Sequence, residues 1–201
     1  MATSTERLEA QDVVRRRFGE SADVKRRLAE PEYVDTTVRI ADAIAGALRA
    51  GGKVLVFGNG GSAADAQHIA AELLGRYMLE RRSLPAIALA DSSAAVTAIG
   101  NDYAYEDVFA RPIEGLGAPG DVALGLSTSG SSPNVIRAME TAAAKGLVTI
   151  GMTGDGDCPL RDAVDICLSV PSTETPRIQE GYMLAAHTVC ELVEAEISRV
   201  Q

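Results

Sequence analysis

Two histidines occur in the chain, His68 and His187, and both lie in settings suited to chemistry. His68 stands four residues before Glu72 in the helix-like stretch "GSAADAQHIAAELLGRY". That spacing puts both side chains on one helix face, about one turn apart. Such a pair can hold a metal ion, and it can equally form a buried hydrogen-bonded pair. His187 lies in "RIQEGYMLAAHTVC", among apolar neighbours that suit a satisfied core histidine as well as a ligand. Gln179 is eight residues earlier, about 12 Å along an ideal helix axis. Thr175-Pro176 reads as an N-cap followed by proline at the first helical position, so Gln179 falls in the first turn. Gln179 and His187 meet at one point only if Gln179 reaches inward or different subunits contribute.

Two loops share a second kind of chemistry. Gly58-Asn59-Gly60-Gly61-Ser62 follows an apolar run, and so does Ser127-Thr128-Ser129-Gly130-Ser131-Ser132-Pro133-Asn134. Each precedes a helix. Glycines let backbone N–H groups approach an anion, and a helix N-terminus adds partial positive charge. Serine and threonine hydroxyls donate without adding formal charge. Together the loops suit a phosphate cradle, although Gly and Ser also fill such turns for local reasons and Ser132 equally suits a helix N-cap. No Gly-Lys-Ser/Thr follows either loop, which excludes a Walker A site. Gly58 to Ala63 does match the dinucleotide pattern G-x-G-x-x-A, with Asp91 ending the next strand where a ribose-binding acid would lie. The hydroxyl-rich second loop and the histidines weigh against that reading.

The elements that must carry these groups follow from patterning. Residues 5–50 read as helix broken near Pro31, ahead of the first strand. Apolar runs at 53–58, 85–90, 121–127, 147–154 and 164–170 are nearly continuous, as in strands buried on both faces. Helical segments at 62–80, 92–111, 132–145 and 176–199 separate or follow them. This alternation predicts an α/β fold, a three-layer αβα sandwich with a five-stranded parallel sheet preceded by N-terminal helices. Residues 1–201 are expected to form a single domain, with helices in 1–52 and the α/β core and C-terminal helix in 53–201. Composition agrees: 46% hydrophobic and 23% charged residues are ordinary for a globular protein. The net charge of −9 disfavours nucleic acid and anionic membranes as partners but leaves a small anionic ligand open. Cys158, Cys167 and Cys190, odd in number and without CxxC spacing, read as reduced thiols. Neither a signal peptide nor a transmembrane helix is expected.

Four separated segments then carry a resemblance: "GNGGSAADAQHIAAELLGRY", "AIGNDYAYEDVFARPIEGLG", "GDVALGLSTSGSSPNVIRAM" and "TPRIQEGYMLAAH". In this order they resemble the phosphoheptose (sedoheptulose-7-phosphate) isomerases of the sugar isomerase, or SIS, domain family. The resemblance implies a cytoplasmic homotetramer with active sites at subunit contacts, and one zinc ion per subunit. It implies interconversion of sedoheptulose 7-phosphate and D-glycero-D-manno-heptose 7-phosphate through an enediol(ate). Implied substrate contacts are Asn59, Gly60, Gly61 and Ser62, the pair Asn101 and Asp102, the phosphate loop Ser127, Thr128, Ser129 and Ser132, and also Glu72 and Gln179. Implied metal ligands are His68, Glu72, Gln179 and His187, and Arg76 resembles an arginine near the family's site. An isomerisation of this kind needs a base and an acid flanking the reacting carbons, and Glu72 and His187 suit those roles. A carboxylate firmly held by zinc is a poorer base, so ligand and base are competing roles for Glu72. Ala63, Pro176 and Tyr182 depart from the family pattern, Tyr182 standing where a further histidine often follows "RIQE". Two other readings stay open: a non-catalytic SIS protein that senses a sugar phosphate or binds a protein partner, and an isomerase for another phosphosugar.

Overall fold

The computed structural model describes residues 4–199. Five apolar runs become parallel strands: β1 (Val54–Gly58), β2 (Ala86–Ala88), β3 (Val122–Leu126), β4 (Val148–Gly154) and β5 (Ile166–Val170), in the order β2-β1-β3-β4-β5. β1 and β3 are buried at every position because helices cover both faces. Side chains alternate between those faces. Val54, Val56, Leu124 and Leu126 join a core with α2 (Pro31–Arg49), α3 (Gly61–Leu74) and α8 (Thr175–Ser198). Leu55, Phe57 and Ala123 point the other way, toward α5 (Ala110–Leu116) and α6 (Pro133–Ala144). The expected three-layer sandwich is therefore present, and α1 (Ser4–Arg27) and α2 precede the sheet as expected.

Two expected helices differ in extent. The segment 62–80 is helical only to Leu74, where α3 ends at Gly75. Beyond it the chain folds back, because Arg81 donates to the carbonyls of Glu72, Leu73 and Gly75. The segment 92–111 divides into α4 (Ser93–Asp102), a 3-10 turn at Tyr105–Asp107, and the start of α5. Ser92 caps α4, its hydroxyl accepting from the Ala95 N–H. A short α7 (Pro159–Asp162), not expected from periodicity, precedes β5.

Asp121 ties down the amino ends of β1 and β3. Its carboxylate accepts from the Lys53 backbone N–H at 2.9 Å, the Lys53 ammonium at 2.5 Å and the Ala118 N–H at 2.8 Å. Burial works against this charge, yet Lys53 and the two N–H groups hold the Asp121 carboxyl below its ordinary range. With that end pinned, the opposite ends of β1 and β3 stand side by side. The strand order reverses between these two neighbours, which is where open parallel sheets place their ligands.

Candidate active site

Both glycine- and serine-rich loops leave the sheet at this reversal. Gly60 takes φ +57° as the N-cap of α3, a left-handed conformation that favours glycine. Gly61 is packed so closely by α8 that an added Cβ would lie 2.5 Å from Gln179 Nε2. The Gln179 carboxamide therefore sits against the loop; α8 is capped at Glu174 and not at the expected Thr175, so Pro176 is its second residue and Gln179 its fifth. Asn59 is half-buried and exchanges a reciprocal pair of amide hydrogen bonds with Asn134 of the second loop, at 2.9 and 2.8 Å. In that loop Ser127 Oγ and Ser132 Oγ lie 3.0 Å apart, and Ser127 Oγ also accepts from the Gly130 N–H. Thr128 and Ser129 are more open, at the end of β3 and before α6.

The two histidines meet. His68 Nε2 lies 3.0 Å from Glu72 Oε1, and His187 Nε2 lies 3.2 Å from His68 Nε2. The imidazole centroids are 5.0 Å apart. Among the described residues these three side chains form the group of His, Cys, Asp and Glu whose ligand atoms all fall within 4.8 Å of one another. Zinc ligands at about 2.0–2.2 Å in a tetrahedron stand about 3.3 Å apart, so the two short separations match a shared ion. Two imidazole nitrogens and a carboxylate oxygen are also a fitting donor set for that metal.

Other expected site residues are placed differently. Ser62 is buried, and its hydroxyl meets Tyr182 Oη at 2.8 Å, so this side chain faces inward. Asn101 and Asp102 are exposed at the end of α4 and bond to each other, Asn101 Nδ2 donating to Asp102 Oδ1 at 2.8 Å. Arg76 is exposed beyond α3, 3.8 Å from Glu80.

Asp65, Tyr77 and Tyr105 were not singled out by sequence reasoning, and Tyr182 was noted only as a departure from the family pattern. Tyr182, fully buried, donates to Asp65 Oδ2 at 3.0 Å as well as meeting Ser62. Burial pushes the Asp65 carboxyl up, with the Tyr182 hydrogen bond and His68 opposing. Burial likewise pushes the Tyr182 phenol well above its ordinary value. The signal for Asp65 was its position three residues before His68, on the same helix face. Tyr77 stacks on His187, with ring centroids 5.7 Å apart and planes 21° from parallel. Tyr105, in the 3-10 turn, donates to Asn59 Oδ1 at 3.1 Å. No local pattern marks these two tyrosines, because their partners are distant in the chain.

Residues 17–154 match the model of the SIS domain. The chain is similar to the phosphoheptose isomerase of Roseiflexus sp. (strain RS-1), at 54% identity over 87% of this chain and 88% of that one. It is 51% identical to the phosphoheptose isomerase of Aquifex aeolicus (strain VF5), over 90% and 94% of the two chains. A solved phosphoheptose isomerase from Neisseria gonorrhoeae superposes with a TM-score of 0.87 at 39% identity, covering 92% of this chain and 99% of that one.

Proposed function

We propose, on the premise that this chain belongs to the SIS domain family, that its site interconverts sedoheptulose 7-phosphate and D-glycero-D-manno-heptose 7-phosphate. The chain is an enzyme of the phosphoheptose isomerase class. The observation that carries the detailed reading is the meeting of His68, Glu72 and His187 on α3, which begins at the glycine loop, and α8, which packs Gln179 against that loop.

The phosphate docks on Ser127, Thr128, Ser129 and Ser132, where hydroxyls and the amino end of α6 supply donors. Asn59, Gly60, Gly61 and Gln179 line the sugar, Asn101 with Asp102 completes the substrate set, and Ser62, its hydroxyl turned inward to Tyr182, supports the loop. Glu72 removes the C1 proton of the ketose while His187 gives a proton to the C2 carbonyl oxygen, and an enediol results. Return of the carbon-bound proton to C2 and loss of the O1 proton then give the aldose. Two proton transfers in each half leave the atoms and charge balanced.

His68, Glu72 and His187 are the residues that would hold zinc, one per subunit, and Gln179 completes the set from a different subunit, because within one chain its carboxamide lies against Gly61. When bound, zinc supplies Lewis-acid polarisation of the sugar oxygens. The full reading treats residues 1–201 as one SIS domain working in the cytoplasm as a homotetramer.

The test is proton NMR of sedoheptulose 7-phosphate incubated with the protein, with and without a chelator, in deuterated water. Aldose formation with deuterium entering C1 or C2 is the expected result, and binding without exchange points to a sensor. Turnover of a different phosphosugar in its place would move the substrate and keep the chemistry. Glu72→Gln and His187→Ala should each cut kcat by at least about 100-fold while leaving assembly intact. Near-normal turnover in either removes that residue from the mechanism.

A further inference from the structure

Asn59 is an expected sugar contact whose carboxamide is almost wholly committed inside the protein. Its Oδ1 accepts twice, from Asn134 Nδ2 at 2.8 Å and from the Tyr105 hydroxyl at 3.1 Å. A carboxamide oxygen has two lone pairs, so both are used. Its Nδ2 donates once, to Asn134 Oδ1 at 2.9 Å. The second Nδ2 hydrogen has no protein partner among the described residues, so Asn59 retains a donor and no acceptor.

We infer that Asn134 and Tyr105 are positioning residues that present Asn59 to the sugar as a hydrogen-bond donor alone. Both act through Asn59, from elements that local sequence does not connect with it. Asn134 is the second residue of α6, 75 positions along the chain, and is 2% exposed. Tyr105 stands just after the Asn101–Asp102 pair, on an exposed turn. The triad therefore ties the β1 loop, the start of the phosphate-side helix and the 3-10 turn after α4 to one amide.

The chemical consequence is selectivity for an oxygen that accepts. A carbonyl oxygen, a hydroxyl lone pair or the growing negative charge of an enediolate each receives this N–H. A hydroxyl that must donate finds the Asn59 oxygen already filled. A donor aimed at an oxygen whose charge rises during reaction stabilises the transition state more than the ground state. An unpaired Asn59 would rotate about its χ2 and offer either end.

This inference rests on the proposed isomerase reading, and a double-mutant cycle separates the two. The kcat/KM for sedoheptulose 7-phosphate is measured for the full chain, Asn59→Ala, Asn134→Ala and the pair combined. Asn134→Ala is expected to lower kcat/KM roughly 10-fold in the native background. In the Asn59→Ala background the same change should cost less than about twofold, because its target is gone. Equal losses in both backgrounds would make Asn134 a plain brace between loops and overturn the inference. If Asn134→Ala does not fold, as judged by its melting curve, the cycle is run on Tyr105→Phe, which removes one hydroxyl from an exposed ring. That change should cost about threefold, again only when Asn59 is present; a loss independent of Asn59 overturns the role. A native protein inert toward the sugar defeats the isomerase reading and this role with it, whereas an active protein with additive losses defeats the positioning role alone.

Discussion

Tyr77 covers one face of the His187 ring, and the two planes lie 21° from parallel. The imidazole must keep its Nε2 aimed at His68, 3.2 Å away, for the cluster to work as a unit. An aromatic stack contributes about 0.5–1.5 kcal/mol beyond its buried area, enough to favour one ring orientation. Tyr77→Leu is therefore expected to lower kcat about 3–10-fold with KM little changed, and Tyr77→Phe to restore most of the loss. Equal activity in the Leu and Phe variants would show that the stack plays no part. At this scale the sequence is a partial guide. The His68–Glu72 contact follows from helical spacing alone, because four residues bring one turn beneath the next. The contact between His68 and His187 spans 119 positions, and only the packing of α3 against α8 creates it. Ser62 shows the opposite limit. A serine in a glycine loop looks like a ligand contact, but a buried tyrosine hydroxyl on α8 takes it.

Two buried charges hold the turn after α3. The Glu194 carboxylate, on α8, accepts from the backbone N–H groups of Tyr77, Met78 and Leu79 at 3.0, 2.7 and 2.7 Å. Arg81 Nε lies 3.1 Å from Glu194 Oε1, and both side chains are 1% exposed. Burial works against the Glu194 charge, yet the three N–H groups and Arg81 hold its carboxyl below the ordinary value. A depressed folded-state pKa means that the folded protein binds fewer protons than the unfolded chain near pH 4.5 and below. The stabilisation is thus present above that pH and lost as pH falls through the folded value. Glu194→Gln should leave Arg81 as an unpaired buried charge and destabilise the fold by about 3–5 kcal/mol. Denaturant melts between pH 3 and 7 should show a flatter acid limb for this variant; an unchanged limb would place the acid sensitivity elsewhere. This strap also explains why the end of α3 was not legible. Helical periodicity in 62–80 continues past Leu74, and the residues that stop it, Arg81 and Glu194, lie outside any local window. The strands were legible because burial on both faces demands apolar residues at every position, a signal each run carries by itself.

Across the whole molecule, α1, α2 and α8 present apolar side chains that the chain itself does not cover. Phe18 is 73% exposed, and Val34, Val38, Leu184 and Leu192 are also exposed. An apolar cleft of about 260 Å³ runs between these helices, lined in part by Leu28, Val34, Val38, Leu184 and Leu192. The proposed homotetramer gives this face a partner, and its cost to an isolated chain explains why it would be retained. Leu192→Glu is expected to shift sedimentation to a smaller species and to lower turnover, since the proposed active sites lie at subunit contacts. A variant that stays assembled, or a smaller species with full activity, would contradict this arrangement. Among the described residues no helix is long and apolar enough to cross a membrane.

One helix, α8, carries Gln179 at the glycine loop, Tyr182 against Asp65, His187 in the cluster and Glu194 in the strap. A helix advances 100° per residue, so these four contacts lie on a fixed ruler. Gaining or losing a single residue between Gln179 and Glu194 would swing everything beyond it away from its partner. Length variation in this protein is therefore expected to collect in surface turns such as 103–104 and 155–158, while the interval 179–194 keeps its count even where its residues change.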